Sequence, residues 1–338
     1  MTKTVFVTGG TGFIAGHILR ELLDAGYTVR ASLRDSARGP ELRAALARYL
    51  RDAGAADRLD LVALDLEADT GWDEAMAGAH ALVHTASPFP LSVPEDPDAL
   101  IRPALEGTRR VLGAAQAAGV TRVVLTSSVA AVSRLDGPEI QDETQWADPD
   151  PAKVSPYTRS KILAERAAWD FVRDKAPEMA LTAINPGLVF GPPLGGRFGS
   201  SIALVRRLMS GRDPMLPAYG LPVVDVRDVA AMHLRALERP ESAGRRYIGS
   251  AGSLWFAEMG RILKARYPDR RIATRNAPNW LMRIVALFDP DVRSILPQLG
   301  HIERVSNLRA RQELGITFTE PQTALIATAD WLAEKGEV

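Results

Sequence analysis

Lys3-Thr-Val-Phe-Val-Thr-Gly-Gly-Thr-Gly-Phe-Ile-Ala-Gly-His-Ile-Leu19 decides how this chain folds. The apolar run Val5 to Val7 suits a buried strand. It stops at Gly9, Gly10 and Gly12, and apolar residues then recur at helical spacing at Phe13, Ile14, Ile18, Leu22 and Leu23. A strand, a glycine turn and a helix in that order form the first half of a βαβ unit. In Gly9-x-x-Gly12-x-x-Ala15, glycine permits a tight turn and lets backbone approach a pyrophosphate. The small Ala15 lets helix and strand pack closely. The helix start points free N–H groups and its positive dipole end at the phosphates. Gly9, Thr11, Gly12, Phe13 and Ile14 are the expected cradle.

Working outward, Tyr27 to Leu33 reads as the second strand, and Arg34 stands at its end. In a dinucleotide-binding unit this position faces the adenosine ribose. A carboxylate there accepts from a free 2′-hydroxyl, whereas an arginine accommodates a 2′-phosphate. Arg34 and Ser32, with Arg38 or Arg43 nearby, therefore predict NADP(H) rather than NAD. A helix over 41–50 and a third strand over 59–64 follow, with Asp65 and Leu66 expected against the adenine. The fourth strand, 81–84, exits through Thr85, Ala86 and Ser87, where the loop would pass the pyrophosphate. His84, at a buried strand end, reads as a packed structural group. A long helix over 96–118 leads to the fifth strand, 121–126. Ser155 and Pro156 open a further helix, as N-cap and first-turn residues. The sixth strand covers 179–184.

Six alternations of strand and helix predict an α/β fold, a Rossmann-type doubly wound parallel sheet. Past Gly191 the regularity fails. Helices are expected at 200–209, 226–237, 255–265, 280–287, 307–314 and 322–335, with strands at 221–226 and 246–249. Asp225 and Asp228 have the spacing of helix-capping residues. The predicted organisation is a dinucleotide-binding domain over 1–190, with 224–250 returning to it. Residues 191–223 and 251–338 form a smaller, mostly helical substrate lobe.

Composition narrows the function. Of 338 residues, 46% are hydrophobic and 24% charged, an ordinary globular balance. The 41 basic and 41 acidic side chains cancel, so nothing points to nucleic acid or an anionic membrane. With no cysteine, thiol catalysis and cysteine metal sites are excluded, and no metal is expected. No apolar run approaches the ~18 residues of a membrane span. A first strand starting near Lys3 leaves no room for a signal peptide, and the expected location is cytoplasmic.

Tyr157 and Lys161 are four apart on a predicted helix and so share a face. Ser128 follows the fifth strand, beside the crevice where such sheets bind ligands. A tyrosine can give a proton to a developing alkoxide, and a neighbouring ammonium is expected to lower its pKa toward neutrality. A serine hydroxyl can hold the substrate oxygen. These are the parts of a carbonyl reduction whose hydride comes from a cofactor.

Thr8-Gly-Gly-Thr-Gly-Phe-Ile-Ala15, Thr126-Ser-Ser128, Tyr157-Thr-Arg-Ser-Lys161 and Asn185-Pro-Gly-Leu-Val-Phe-Gly-Pro192 together resemble the extended short-chain dehydrogenases/reductases. Val29 to Asp35 and Val83 to Pro88 are similar to the branch holding dihydroflavonol 4-reductases, cinnamoyl-CoA reductases and microbial NADPH-dependent aldehyde and ketone reductases. The resemblance implies Tyr157 as acid/base, Lys161 as partner of tyrosine and nicotinamide ribose, and Ser128 as the group orienting the carbonyl. It places Thr126 beside the cofactor and Pro186, Gly187, Leu188 and Val189 along the nicotinamide. Glu41 stands where the plant enzymes often have a lysine, and their flavonoid-recognition residues are not identifiable. Ser87, Phe89, Ser133, Leu188, Phe190, Ile202, Met215 and Tyr219 are the substrate-pocket candidates. They are mostly apolar, which suits a small carbonyl or alcohol substrate.

Two other functions use similar parts. A nucleotide-sugar epimerase or dehydratase retains NAD. Its dehydratases usually carry carboxylates beside the active-site hydroxyl, but Val129-Ala-Ala-Val132 follows Ser128 here. Arg206, Arg207 and Arg212 are the candidates for a pyrophosphate clamp. A non-catalytic NADP-sensing regulator is the third reading, and such proteins typically lose the tyrosine. A monomer or homodimer is expected.

Overall fold

A computed structural model describes residues 3–87, 96–195 and 198–338. The first half runs β1 (Thr4–Thr8), α1 (Phe13–Asp24), β2 (Thr28–Leu33), α2 (Gly39–Ala47), β3 (Leu59–Ala63), α3 (Trp72–Met76), β4 (Ala81–His84), α4 (Asp98–Ala117), β5 (Arg122–Thr126), α5 (Pro156–Lys175) and β6 (Ala180–Pro186). The second half runs β7 (Leu188–Phe190), α6 (Ser200–Met209), β8 (Gly220–Asp225), α7 (Val226–Glu238), β9 (Arg245–Gly249), β10 (Gly252–Trp255), α8 (Phe256–Arg266), α9 (Asn279–Val285), α10 (Pro290–Ile295), α11 (Leu308–Glu313) and α12 (Pro321–Glu334).

Seven strands form one parallel sheet in the order β3-β2-β1-β4-β5-β6-β9. Successive side chains of a strand face opposite sides, and both sides here are covered. Val5 and Val7 pack with Ile18, Leu19, Leu22 and Leu23 of α1. Phe6 packs the other way, with Trp72, Met76 and Val111. Each fully buried side chain of this kind stabilises by roughly 1.5–3 kcal/mol. The chain crosses from β3 at one edge to β4 beside β1. A crevice therefore opens at the carboxyl ends of β1 and β4.

The carboxyl-terminal half has a core of its own, in which Ile202, Val205, Leu254, Met259, Leu263 and Leu325 meet. Its three-stranded sheet, β10-β8-β7, departs from the helical lobe the sequence suggests. Only β9, of the stretch expected to rejoin the main sheet, pairs there; β8 pairs with β7 and β10. Asp225 caps α7 by accepting from Arg227 N at 2.8 Å. Asp228 instead accepts from Thr319 N at 2.7 Å, tying α7 to the approach to α12.

Three histidines are folded in as neutral groups. His233 Nδ1 lies 2.7 Å from Val229 O and must donate there, so Nε2 accepts from Thr126 Oγ1 at 2.7 Å. Thr8 Oγ1 accepts from Thr85 N and Ala86 N, so its own hydrogen goes to His84 Nδ1 at 2.8 Å. His17 Nε2 lies 3.0 Å from Pro192 O. Burial lowers His84 to about 3, and His17 and His233 to about 4, from an ordinary 6.5. The unfolded chain protonates near 6.5 and the folded chain only well below. Their stabilising contribution is therefore complete above about pH 6.5 and is lost as pH falls toward 4 and 3, by about 1.4 kcal/mol per pH unit for each. Denaturant midpoints should drop steeply between about pH 7 and 5. A flat profile there would mean the three rings do not stay neutral in the fold.

Candidate active site

A cleft of about 1650 Å³ lies across the carboxyl ends of the sheet, above the roughly 300–1,000 Å³ common for one small ligand. At one end is the glycine turn. Gly9 has φ +70°, a left-handed conformation, and a Cβ there would stand 3.1 Å from Ala86 Cα. Gly12 N donates to Gly9 O at 2.8 Å, and α1 begins with no side-chain cap and no acidic residue in its first turn. A uncapped helix start behind a glycine turn fits a pyrophosphate. Thr11, Gly12, Phe13 and Ile14 line this end with Thr85, Ala86 and Ser87 from the exit of β4.

Beyond it, Arg34, Arg38, Asp65 and Leu66 form the wall. Among the described residues neither Arg34 nor Arg38 makes a side-chain hydrogen bond or ion pair, so two cations face the cleft uncommitted. That is what a 2′-phosphate would use. Asp35 is spent capping the turn Ser36–Arg38, where it accepts from Ala37 N at 3.0 Å. Of two neighbours expected to help, Ser32 lines the cleft and Arg43 does not. Ser32 is buried and accepts from Gly9 N at 3.0 Å, bracing the glycine turn. Arg43 reaches away, to Ala56 O at 2.7 Å.

The floor is Ser128, Tyr157 and Lys161. Ser128 caps the short turn Val129–Ala131, its Oγ accepting from Ala130 N at 3.2 Å. Ser155 caps α5 by accepting from Thr158 N, and Pro156 starts its first turn, which sets Tyr157 one turn before Lys161. Ser128 and Tyr157 both line the cleft, and the Ser128 side chain acts on the Tyr157 phenol. Lys161 Nζ lies 5.7 Å from the centre of the Tyr157 ring. Burial raises the Tyr157 phenol above its ordinary 10, offset in part by Ser128. Lys161 does not figure among the causes, so the direction is set by burial rather than by the ammonium as expected. Burial also brings Lys161 down to about 8. Both side chains keep some surface open to the cleft, and solvent there moderates these shifts.

Ser128 is held from behind by an ion pair. Glu165 Oε1 accepts from Arg246 Nε at 2.6 Å, and Arg246 lies 3.8 Å from the centre of the Trp146 ring. Glu165 Oε2 takes bonds from Ser127 Oγ and, at 2.7 Å, from Asn185 Nδ2. Asn185 Nδ2 also donates to Ser128 O at 3.1 Å. Glu165 is one turn beyond Lys161 on α5, so one helix carries floor and frame.

The remaining candidates divide. Pro186, Gly187, Leu188 and Val189 line the cleft, and a Cβ on Gly187 would stand 2.5 Å from Pro222 O. Thr126 also lines it, but its hydroxyl is committed to His233, leaving its backbone. Ser133 and Tyr219 line the cleft. Phe190 and Ile202 do not: both are fully buried in the carboxyl-terminal core. Phe190 follows Leu188 by two on β7 and points the same way, one pleat deeper. Met215 packs against Ala277 and Met282. Phe89 lies outside the described residues. Glu303, from a distant segment, lines the cleft unanticipated. Among the described residues no cluster suited to a metal occurs, and no helix is long and apolar enough to cross a membrane.

The model of the NAD dependent epimerase/dehydratase family matches residues 5–248. The chain belongs to that family. Ketoreductase azaE of Aspergillus niger is 36% identical, over 96% of each chain. Cinnamoyl-CoA reductase 1 of Petunia hybrida is 34% identical, over 99% of this chain and 94% of that protein. Among solved structures, yeast methylglyoxal/isovaleraldehyde reductase Gre2 complexed with NADPH superposes with a TM-score of 0.81 at 28% identity, covering 99% of this chain and all of the other. The Rossmann-like sheet and its flanking helices are therefore those of the family's reductases.

Proposed function

We propose that this family member is an oxidoreductase that reduces an aldehyde or ketone to the alcohol with NADPH, reversibly. The grouping of Ser128 and Tyr157 in the cleft, with Lys161 Nζ 5.7 Å from the centre of the Tyr157 ring, carries the reading. Bound NADPH would supply the hydride. In this reading a carbonyl oxygen bound between Ser128 and Tyr157 would accept from both hydroxyls. Burial keeps the phenol protonated at neutral pH, the state a proton donor needs. As the carbonyl carbon gains hydride, its oxygen takes the Tyr157 proton. The Lys161 ammonium, mostly charged at pH 7 with a pKa of about 8, stabilises the phenolate left behind. The glycine turn, Thr85 to Ser87 and the strip Pro186 to Val189 would hold the cofactor, with Arg34 and Arg38 on its 2′-phosphate.

The names of the relatives support a reductase. The arginines considered for a sugar-nucleotide clamp argue against the epimerase reading. Arg206 pairs with Glu337 at 3.2 Å and Arg207 with Asp213 at 2.7 Å, and none of Arg206, Arg207 and Arg212 lines the cleft.

A panel of aldehydes, ketones and diketones assayed for NADPH oxidation tests the reading. One NADPH should be consumed per alcohol formed. Arg34→Ala should raise the KM for NADPH about tenfold more than that for NADH, a value held down by the exposure of Arg34. Losing Arg38 as well should erase the preference. Turnover of a nucleotide sugar with no net absorbance change would instead mean a retained NAD and an epimerase.

A further inference from the structure

Residues 300–306 cross the cleft as an extended strap bonded on both sides. Gly220 N donates to His301 O at 3.0 Å, and Glu303 N to Gly220 O at 3.0 Å. On the other side Gln141 N donates to Arg304 O at 3.1 Å, and Ser306 N to Gln141 O at 2.8 Å. Ser253 Oγ adds a bond to Glu303 O at 2.6 Å. The backbone at Glu303 is thereby fixed, and its side chain lines the cleft with Ser133 and Tyr219.

This carboxylate is poorly answered. Among the described residues no cation pairs with it. Its neighbours Arg304 and Arg134 are engaged with Glu139 and Asp136, at 2.8 and 3.3 Å. Ser133 approaches it and offsets part of its desolvation. Yet Glu303 Oε1 and Ser133 Oγ are both buried without a hydrogen-bond partner of good geometry among the described residues. Burial raises the pKa of Glu303, and that of Tyr219 rises through burial and the Glu303 charge. A buried carboxylate left unpaired costs free energy, and a ligand that donates to it recovers that cost.

Resting on the carbonyl-reductase reading, we infer that Glu303 is a specificity-determining residue that accepts a hydrogen bond from a hydroxyl carried by the substrate away from its reacting carbonyl. A hydroxyl matches the cluster better than an ammonium does. It donates to Glu303 and can accept from the hydroxyl of Ser133 or Tyr219, whereas an ammonium only donates. A carboxylate on the substrate is repelled. Sites built to bond a hydroxyl reject the analogue lacking it, because their own polar groups are left unpaired.

The test uses ketones of one chain length bearing a phenyl, hydroxyphenyl, aminomethylphenyl or carboxyphenyl end, with NADPH. Wild type should show a kcat/KM at least about tenfold higher for the hydroxyphenyl than for the phenyl ketone, mainly through KM. The carboxyphenyl ketone should be the poorest. Glu303→Leu should abolish or reverse the hydroxyl preference while holding kcat for the phenyl ketone within about threefold. Glu303→Gln, close in shape and still an acceptor, should retain part of the preference even if the leucine variant folds poorly. An unchanged hydroxyl-to-phenyl ratio in both variants overturns the assignment while leaving the reductase reading intact. A wild-type preference for the aminomethyl ketone overturns it in favour of a cation site. Reduction of no carbonyl at all overturns the reductase reading, and this inference with it.

Discussion

Tyr157→Phe is expected to lower turnover by roughly 10²–10⁴-fold, the range for a positioned general acid, with little change in the fold. The variant removes one oxygen. Ser128 stays in place, because its Oγ also accepts from Ala130 N and its carbonyl from Asn185 Nδ2. Lys161 keeps the aromatic ring beneath it. What disappears is the proton that must reach the substrate oxygen as the hydride arrives. Steady-state kcat with NADPH and a good carbonyl substrate, alongside thermal unfolding and NADPH affinity, separates the effects. Turnover within about threefold of wild type would send proton delivery elsewhere.

The second large effect lies behind the floor. Glu165→Ala should destabilise the protein by about 3–5 kcal/mol, since it leaves a buried guanidinium uncompensated. The side chains of Glu165 and Arg246 are 0% and 7% exposed. The carboxylate also collects Ser127 Oγ, Asn185 Nδ2 and Trp169 Nε1, so its loss orphans donors from the segment after β5, from β6 and from α5 together. Arg246→Met should cost a similar amount. Because the two act on one pair, Glu165→Ala with Arg246→Met should cost clearly less than the sum of the single changes. Denaturant midpoints of the three variants measure this coupling. Strict additivity would mean the charges do not depend on one another. Residual turnover of folded Glu165→Ala should also fall, as Ser128 loses the Asn185 bond that depends on Glu165.

Much of this was open to sequence reasoning, for a physical reason. Strands β1 to β6 are apolar runs between turn residues, and a doubly wound sheet needs both faces of each strand apolar. The glycine turn and the Tyr157–Lys161 spacing are local patterns set by one turn or one helix. Local pattern also accounts for what was missed. Leu188 to Phe190 is too short to announce a strand, and α3, with five residues, shows no full period. With no strand evident there, nothing in the sequence set Phe190 apart from Leu188, so its place in the core was missed. Arg43 was judged by nearness in sequence, whereas its side chain found a backbone partner elsewhere. The Tyr157 pKa was judged from the Lys161 charge alone, whereas burial sets its direction. Glu303 is one carboxylate in an irregular stretch. Only the pairing of its backbone with Gly220 and Gln141 brings it to the cleft.

That pairing bears on how the protein can change over generations. The strap over 300–306 is fastened by main-chain N–H and carbonyl groups, which every residue except proline supplies alike. Substitutions at 301 or 303 can therefore alter what the cleft welcomes without loosening the wall that carries them. The hydride and proton machinery sits on other elements, the glycine turn and α5. New substrates are thus open to this scaffold by single-residue steps that leave its chemistry inherited intact.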